Sequence, residues 1–265
     1  MASKAKSPVN GKIIHDEVSV LPIASPTGLV TGPLPDVSVV ELPFETEQLR
    51  AGLATFLDQR HVIDAARTMR LGATKWGVYA FFDYDDEPIY VGQTKEMLGT
   101  RIRRHLTNQR TDAVAMNVLD PFEVHSIEVW PLPEFQSTNS KSPNYGEAVT
   151  HLNALEHGVF KKLLEKSEFN AVLNEKDPAT PALAIALPPS VRGQIVSDEV
   201  SRLRDHPDLR IARRAATLAK LAQVISERKV QRGLRKTLLA QAQRLQALAK
   251  RRYENASDVT DEDEI

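Results

Sequence analysis

Two short apolar runs organise the middle of the chain. Residues 76–82 read Trp-Gly-Val-Tyr-Ala-Phe-Phe and residues 88–92 read Pro-Ile-Tyr-Val-Gly. Both are rich in β-branched and aromatic side chains, so both are predicted strands. Asp83, Tyr84, Asp85, Asp86 and Glu87 between them supply turn chemistry, which predicts an antiparallel hairpin. The period then changes. Over Tyr145–Lys166, Val149, Leu152, Leu155, Val159, Phe160, Leu163 and Leu164 recur at helical intervals and predict an amphipathic core helix. Upstream, over 45–69, Leu49, Leu53, Phe56, Leu57, Val62 and Ile63 predict one or two helices packed on the strands. Downstream, Leu209, Ala212, Ala216, Leu218, Leu221, Val224 and Ile225 would line one helix, and Leu234, Leu238, Leu245 and Leu248 another. Pro207 breaks the region ahead of them, so a helical hairpin is expected.

Composition divides the chain further. There is no cysteine and no long apolar run, which excludes a disulfide framework, a cysteine-based zinc site and a spanning helix, and leads to the expectation of a soluble cytoplasmic protein. The expected organisation is a flexible tail over 1–44, a helical segment over 45–72 and a catalytic domain over 73–178. A proline-rich linker over 179–190, a basic helical module over 191–254 and an acidic tail over 255–265 complete it. The net charge of −1 hides an uneven distribution: over 191–253 sixteen lysines and arginines stand against five acidic residues. Such a surplus suits nucleic acid. A DNA clamp, a dimerisation arm giving a homodimer, and a helical bundle whose charges keep it solvated all fit this module. Because the apolar helix and strands of the catalytic domain precede it, a truncation near Pro188 is expected to leave a folded domain that binds DNA more weakly.

The candidate chemistry lies in and after the strand pair. Arg101 and His105 are four residues apart, so on a helix they share one face, with a permanent guanidinium suited to a phosphate beside a group that titrates near neutrality. Arg103, Arg104 and Arg110 surround them, either as a solvated face or, with Lys95, as DNA contacts. Glu156 has Leu152, Asn153, Val159 and Phe160 three and four residues away, which draws its carboxylate toward the apolar stripe. A metal ion, an arginine partner or a place on the helix rim would each account for it. Asn170 and Asn174 follow that helix, where asparagine commonly caps or turns the chain.

In order, these residues resemble the GIY-YIG nuclease family. Gly77-Val78-Tyr79 stands for the first signature and Tyr90-Val91-Gly92 for the second, each with valine for isoleucine. Arg101 falls where the family has its catalytic arginine, His105 where members carry histidine or tyrosine, and Glu156 where the metal-binding glutamate stands. Ser167-Glu168-Phe169-Asn170 is similar to the family's Pro-x-x-Asn ending, which favours Asn170 as the family asparagine over Asn174. The resemblance covers 74–175. The histidine after the arginine looks more like the restriction-endonuclease branch, while the stretches 107–121 and 136–144 depart from a minimal domain.

That resemblance implies an α/β (α+β) fold, a small central antiparallel sheet flanked by helices, extended by the basic helical module. It implies metal-dependent hydrolysis of DNA phosphodiesters, probing water activation by Tyr79 as base or positioner. His105 would assist, Tyr90 would complete the hydrogen bonding, Arg101 would bind the scissile phosphate, Glu156 would hold one divalent cation (Mg2+ by default) and Asn170 would orient substrate or backbone. A phenol of pKa about 10 would need that value lowered, with Arg101, Lys95 and a metal-bound phosphate as sources. A restriction-type endonuclease is the first reading. A mobile-element or structure-specific repair nuclease, and a non-catalytic DNA-binding protein of the same fold, are the alternatives.

Overall fold

The computed structural model describes residues 44–64, 67–107, 116–174, 176–230 and 232–256. The tail expected over 1–44 lies outside them apart from Phe44, as does the acidic tail over 255–265 apart from its first two residues. The chain opens on helix α1 (Phe44–Asp58), which buries Leu49, Leu53, Phe56 and Leu57. A two-stranded antiparallel ribbon follows, β1 (Arg60–Asp64) and β2 (Arg67–Arg70). The helical segment expected over 45–72 is thus one helix followed by strands. The adjacent β-branched Val62 and Ile63 fall where the helical spacing of α1 has already ended, and they favour extended backbone.

The central sheet contains β3 (Lys75–Phe82), β4 (Pro88–Met97), β5 (Ser126–Pro131) and β6 (Val191–Gln194). All pairings are antiparallel, in the order β4-β3-β5-β6. Alternation along β3 sends its side chains to two separate cores. Val78, Ala80 and Phe82 meet α3 (Tyr145–Lys166) through Leu152, Leu155, Val159 and Leu163. Tyr79 and Phe81 face the other way, into the cluster holding Leu53, Leu57, Leu98 and Ile102, the last two from α2 (Leu98–Thr107). Each such aliphatic side chain contributes about 1.5–3 kcal/mol on leaving water.

The sheet takes its fourth strand from what reads in sequence as the start of the basic module. The proline-rich segment ahead of it is not a free tether, because Ile185 and Leu187 pack against the α3 core. Next come α4 (Asp198–Arg204), capped by the Ser197 hydroxyl accepting from the Val200 amide, then α5 (Pro207–Glu227) and α6 (Arg232–Ala256). Leu221, Ile225, Leu234 and Ala240 of the α5–α6 pair join the same cluster as Tyr79.

Charge fastens this helical pair. Asp83 opens the β3–β4 turn, where its Oδ1 accepts from the amides of Asp85 (2.9 Å) and Glu87 (3.0 Å). Its Oδ2 accepts from Arg214 at 2.8 Å and Arg244 at 2.5 Å, with all three side chains at most 4% exposed. Arg210 donates to Asp85 (2.6 Å) and Asp205 (3.0 Å), and Arg214 also reaches Glu123 (3.0 Å). Burial pushes the Asp85 carboxyl up, but the hydrogen bond and charge of Arg210 outweigh it and hold the group below its ordinary value. These arginines of the basic region therefore point into the protein rather than toward an outside polyanion. A truncation near Pro188 would remove β6 and leave Asp83 without its cations, so the expectation of an independently folded catalytic domain does not fit this architecture.

Candidate active site

The site begins with the register of two strands. Tyr79 pairs directly with Gly92, and Phe81 with Tyr90, so Tyr79, Phe81 and Tyr90 share one face. The glycine ending the second signature has a steric cause: a Cβ there would lie 2.5 Å from the Tyr79 hydroxyl. Gly77, opening the first signature, is fixed by β5, since its Cβ would come within 2.8 Å of the Trp130 carbonyl. Either side chain would push a strand or the tyrosine out of place.

Helix α2 leaves the end of β4 and brings two groups onto this face. Arg101 Nε donates to the Tyr79 hydroxyl at 3.3 Å. One turn later His105 is buried against three rings, with centroids 5.8 Å from Tyr79, 6.2 Å from Phe81 and 5.3 Å from Tyr90. Among the described residues neither imidazole nitrogen has a hydrogen-bond partner. Burial, with Arg101 and Arg104 nearby, pushes His105 down to about 4, so the ring is neutral at pH 7.

Tyr79 itself is fully buried, and its pKa moves opposite to the direction the sequence reading requires. Burial raises it and Tyr90 adds to the effect, while Arg101 opposes both without prevailing. Lys95 points elsewhere. It is exposed and lies toward α3, where its Nζ donates to the Tyr145 hydroxyl at 3.4 Å and sits 5.5 Å from that ring's centroid.

Glu156 comes from α3, near enough for its charge to raise the Tyr79 hydroxyl further. The carboxylate is half-buried, and among the described residues no hydrogen bond or ion pair reaches it. Burial alone pushes it up to about 7. Three residues before it, Asn153 Oδ1 accepts from Gln93 Nε2 at 3.1 Å, tying α3 to the strand of the second signature. This link is absent from the sequence reading; the signal for it is that Asn153 shares a helix face with Glu156.

The two asparagines separate clearly. Asn170 is exposed, its backbone is left-handed (φ 47°), and its amide donates to the Ser167 carbonyl at 3.1 Å. Its backbone forms a turn, and its exposed side chain makes no hydrogen bond among the described residues. Asn174 is buried and clamps the outer edge of β4: its Oδ1 accepts from the Val91 amide (3.0 Å) and its Nδ2 donates to the Val91 carbonyl (2.7 Å). With Leu173 donating to the Ile89 carbonyl at 2.8 Å, the segment acts as a short extra strand that satisfies the open edge.

Of the other basic candidates, Arg104 is paired with Glu96 at 2.8 Å, Arg103 is exposed on α2, and Arg110 lies outside the described residues. Among the described residues no three His, Cys, Asp or Glu side chains cluster as a metal site. Neither the curated proteins nor the solved structures yield a match to the chain. The family model described as the GIY-YIG catalytic domain matches residues 75–137, a span that contains Tyr79, Tyr90, Arg101 and His105 and ends before Glu156. Two tyrosine-bearing strands in the register that Gly92 permits, followed by the arginine helix, agree with that match: this segment of the chain carries a GIY-YIG catalytic domain.

Proposed function

We propose that this protein is a metal-dependent DNA endonuclease. The observation that carries the reading is the lone Glu156 carboxylate, raised by burial and without a partner among the described residues, close to the Tyr79–Arg101 hydrogen bond. A single carboxylate of this kind fits a hard, partly hydrated divalent cation, with water and phosphate oxygens completing the shell. Bound there, such a cation would supply Lewis-acid neutralisation of the phosphate and a more acidic water.

The chain's own residues divide the remaining work. Arg101 meets the scissile phosphate and stabilises the charge that develops as water adds to phosphorus and the leaving oxygen departs. Tyr79, kept protonated by burial, positions the attacking water through the hydroxyl that Arg101 also holds. His105 is neutral and accepts a hydrogen bond or proton. Tyr90, partly exposed between these rings, completes the hydrogen bonding. Asn174 keeps the second signature in register. The restriction-type setting is the finer part of the proposal and rests on the histidine that follows the arginine.

The test is incubation of purified protein with plasmid and phage DNA in Mg2+ or EDTA, followed by sequencing of the ends. Cleavage in Mg2+ alone, at fixed sites, is expected. Cuts confined to branches or flaps would replace the restriction reading with repair, and intact DNA under every divalent ion would overturn the nuclease.

A further inference from the structure

We infer that the first turn of α6 and the loop after Asn174 form a second, non-catalytic contact for the DNA backbone; the inference rests on the nuclease reading above. An open groove of about 810 Å³ is lined there by Lys176, Asp177, Arg232, Arg235, Lys236 and Leu239. Lys236 is bonded to Asp177 (2.9 and 3.1 Å). Lys176, Arg232 and Arg235 are exposed and, among the described residues, have no acidic partner. Within the same helical pair Arg210, Arg214 and Arg244 are buried on carboxylates, so this groove collects cations that the fold itself does not consume.

Their position opposes helix stability. The first turn of α6, like that of α2, carries no acidic residue, whereas α1, α3, α4 and α5 have at least one there. Cations at a helix N-terminus are unfavourable against the macrodipole, to which the unpaired N–H groups of any first turn contribute. A polyanion reverses the sign of that effect. Exposed side chains spread along an open groove, with no converging buried donors, suit a chain of phosphates better than one small anion.

The groove is joined to the active site by covalent and hydrogen bonds. Thr237 in α6 donates to the Asn174 carbonyl at 3.2 Å, and the Asn174 side chain holds Val91, next to Tyr90. Lys176 follows Asn174 by two residues, a reach of at most about 7 Å between Cα atoms. DNA lying across Arg101 thus has a charged rail beside the outer edge of β4.

The experiment measures duplex binding by fluorescence anisotropy, without divalent ion, over a series of salt concentrations. Wild type is compared with Arg232→Gln/Arg235→Gln, with Lys176→Gln, and with a control pair, Lys161→Gln/Lys162→Gln, on the exposed side of α3. The groove pair is expected to weaken binding at least about tenfold and to flatten the slope of log affinity against log salt by about 0.9 per lost contact, with Lys176→Gln showing a smaller change of the same kind. A slope equal to that of the control pair, in groove variants with wild-type melting temperature, would overturn the inference. Should wild type fail to cut DNA while the groove variants still flatten the slope, the nuclease reading falls and the binding surface stands.

Discussion

Two buried charge sites sit on the same strand pair and are built oppositely. At the turn end, Asp83 is enclosed by Arg214 and Arg244, so nearly every charge has a partner inside the protein. On the face of Tyr79, His105 lacks a hydrogen-bond partner and Glu156 an ion pair among the described residues, and burial pushes both toward their neutral forms. Desolvating a charge is costly, and a fold that pairs four acids with arginines at one place has the means to pair a fifth at another. The groups left unsatisfied beside the Tyr79–Arg101 bond are the ones the proposed function draws on, while the satisfied ones hold the architecture.

Removing one residue from each site should sharpen the contrast. Arg214→Ala leaves acids buried without their cation and should cost about 3–5 kcal/mol in urea unfolding; a loss below about 1 kcal/mol would show that the network is not structural. Glu156→Gln should behave in reverse, losing at least about a thousandfold in Mg2+-dependent cleavage, roughly 4 kcal/mol of barrier, with no loss of stability without metal. Wild-type turnover would break the comparison at its catalytic side. Tyr79→Phe keeps the packed ring and removes the hydroxyl that Arg101 donates to, and about a hundredfold slower single-turnover cleavage is expected. An unchanged rate would take the hydroxyl out of the reaction.

The smallest effect is read in pH. Glu156 is raised to about 7 in the folded protein, so the native state keeps a proton that the unfolded chain releases near the ordinary carboxyl value. Stability present below about pH 4.5 is lost as pH rises toward 7. His105, lowered to about 4, works in the other direction, its stabilisation disappearing as pH falls below about 6.5. Because both proteins retain His105, the melting difference between Glu156→Gln and wild type isolates the glutamate. It should be near zero at pH 4 and favour the variant by roughly 1–3 kcal/mol at pH 8 in EDTA. Parallel melting curves across this range would show that the carboxylate is already paired.

The same contrast explains what the sequence reveals. Continuous apolar runs expose β3, which has most of its residues buried, and β4, and the helical recurrence of apolar residues exposes α3. Tyr79, Tyr90, Arg101 and His105 are legible for that reason, all lying within one hairpin and the helix after it. Asp83 to Glu87 reads as a solvated turn, since its partners lie 131 and 161 residues away and no local pattern pairs an acid with an arginine at that distance. The hint present is that Arg210 and Arg214 are one turn apart and Arg214 precedes Leu221 by two turns, on the apolar stripe. Asn174 is legible only as the competitor of Asn170, which the similarity of the segment ending there favours. Position in a motif does not show whether a side chain turns the chain or clamps an edge; the left-handed backbone of Asn170 and the Val91 bonds of Asn174 do.

The long separation within the Asp83 network also sets an order of assembly. Asp83 leaves the ribosome with the first signature, but Arg244 follows 161 residues later, roughly 8–32 s at ordinary elongation rates. During that interval the strands bearing Tyr79 and Tyr90 exist without the helices that neutralise their turn, and without β6 until Val191 has been made. The distant helices thus act as a clock on the central sheet: the fold around Tyr79 is completed only after most of the chain has been synthesised.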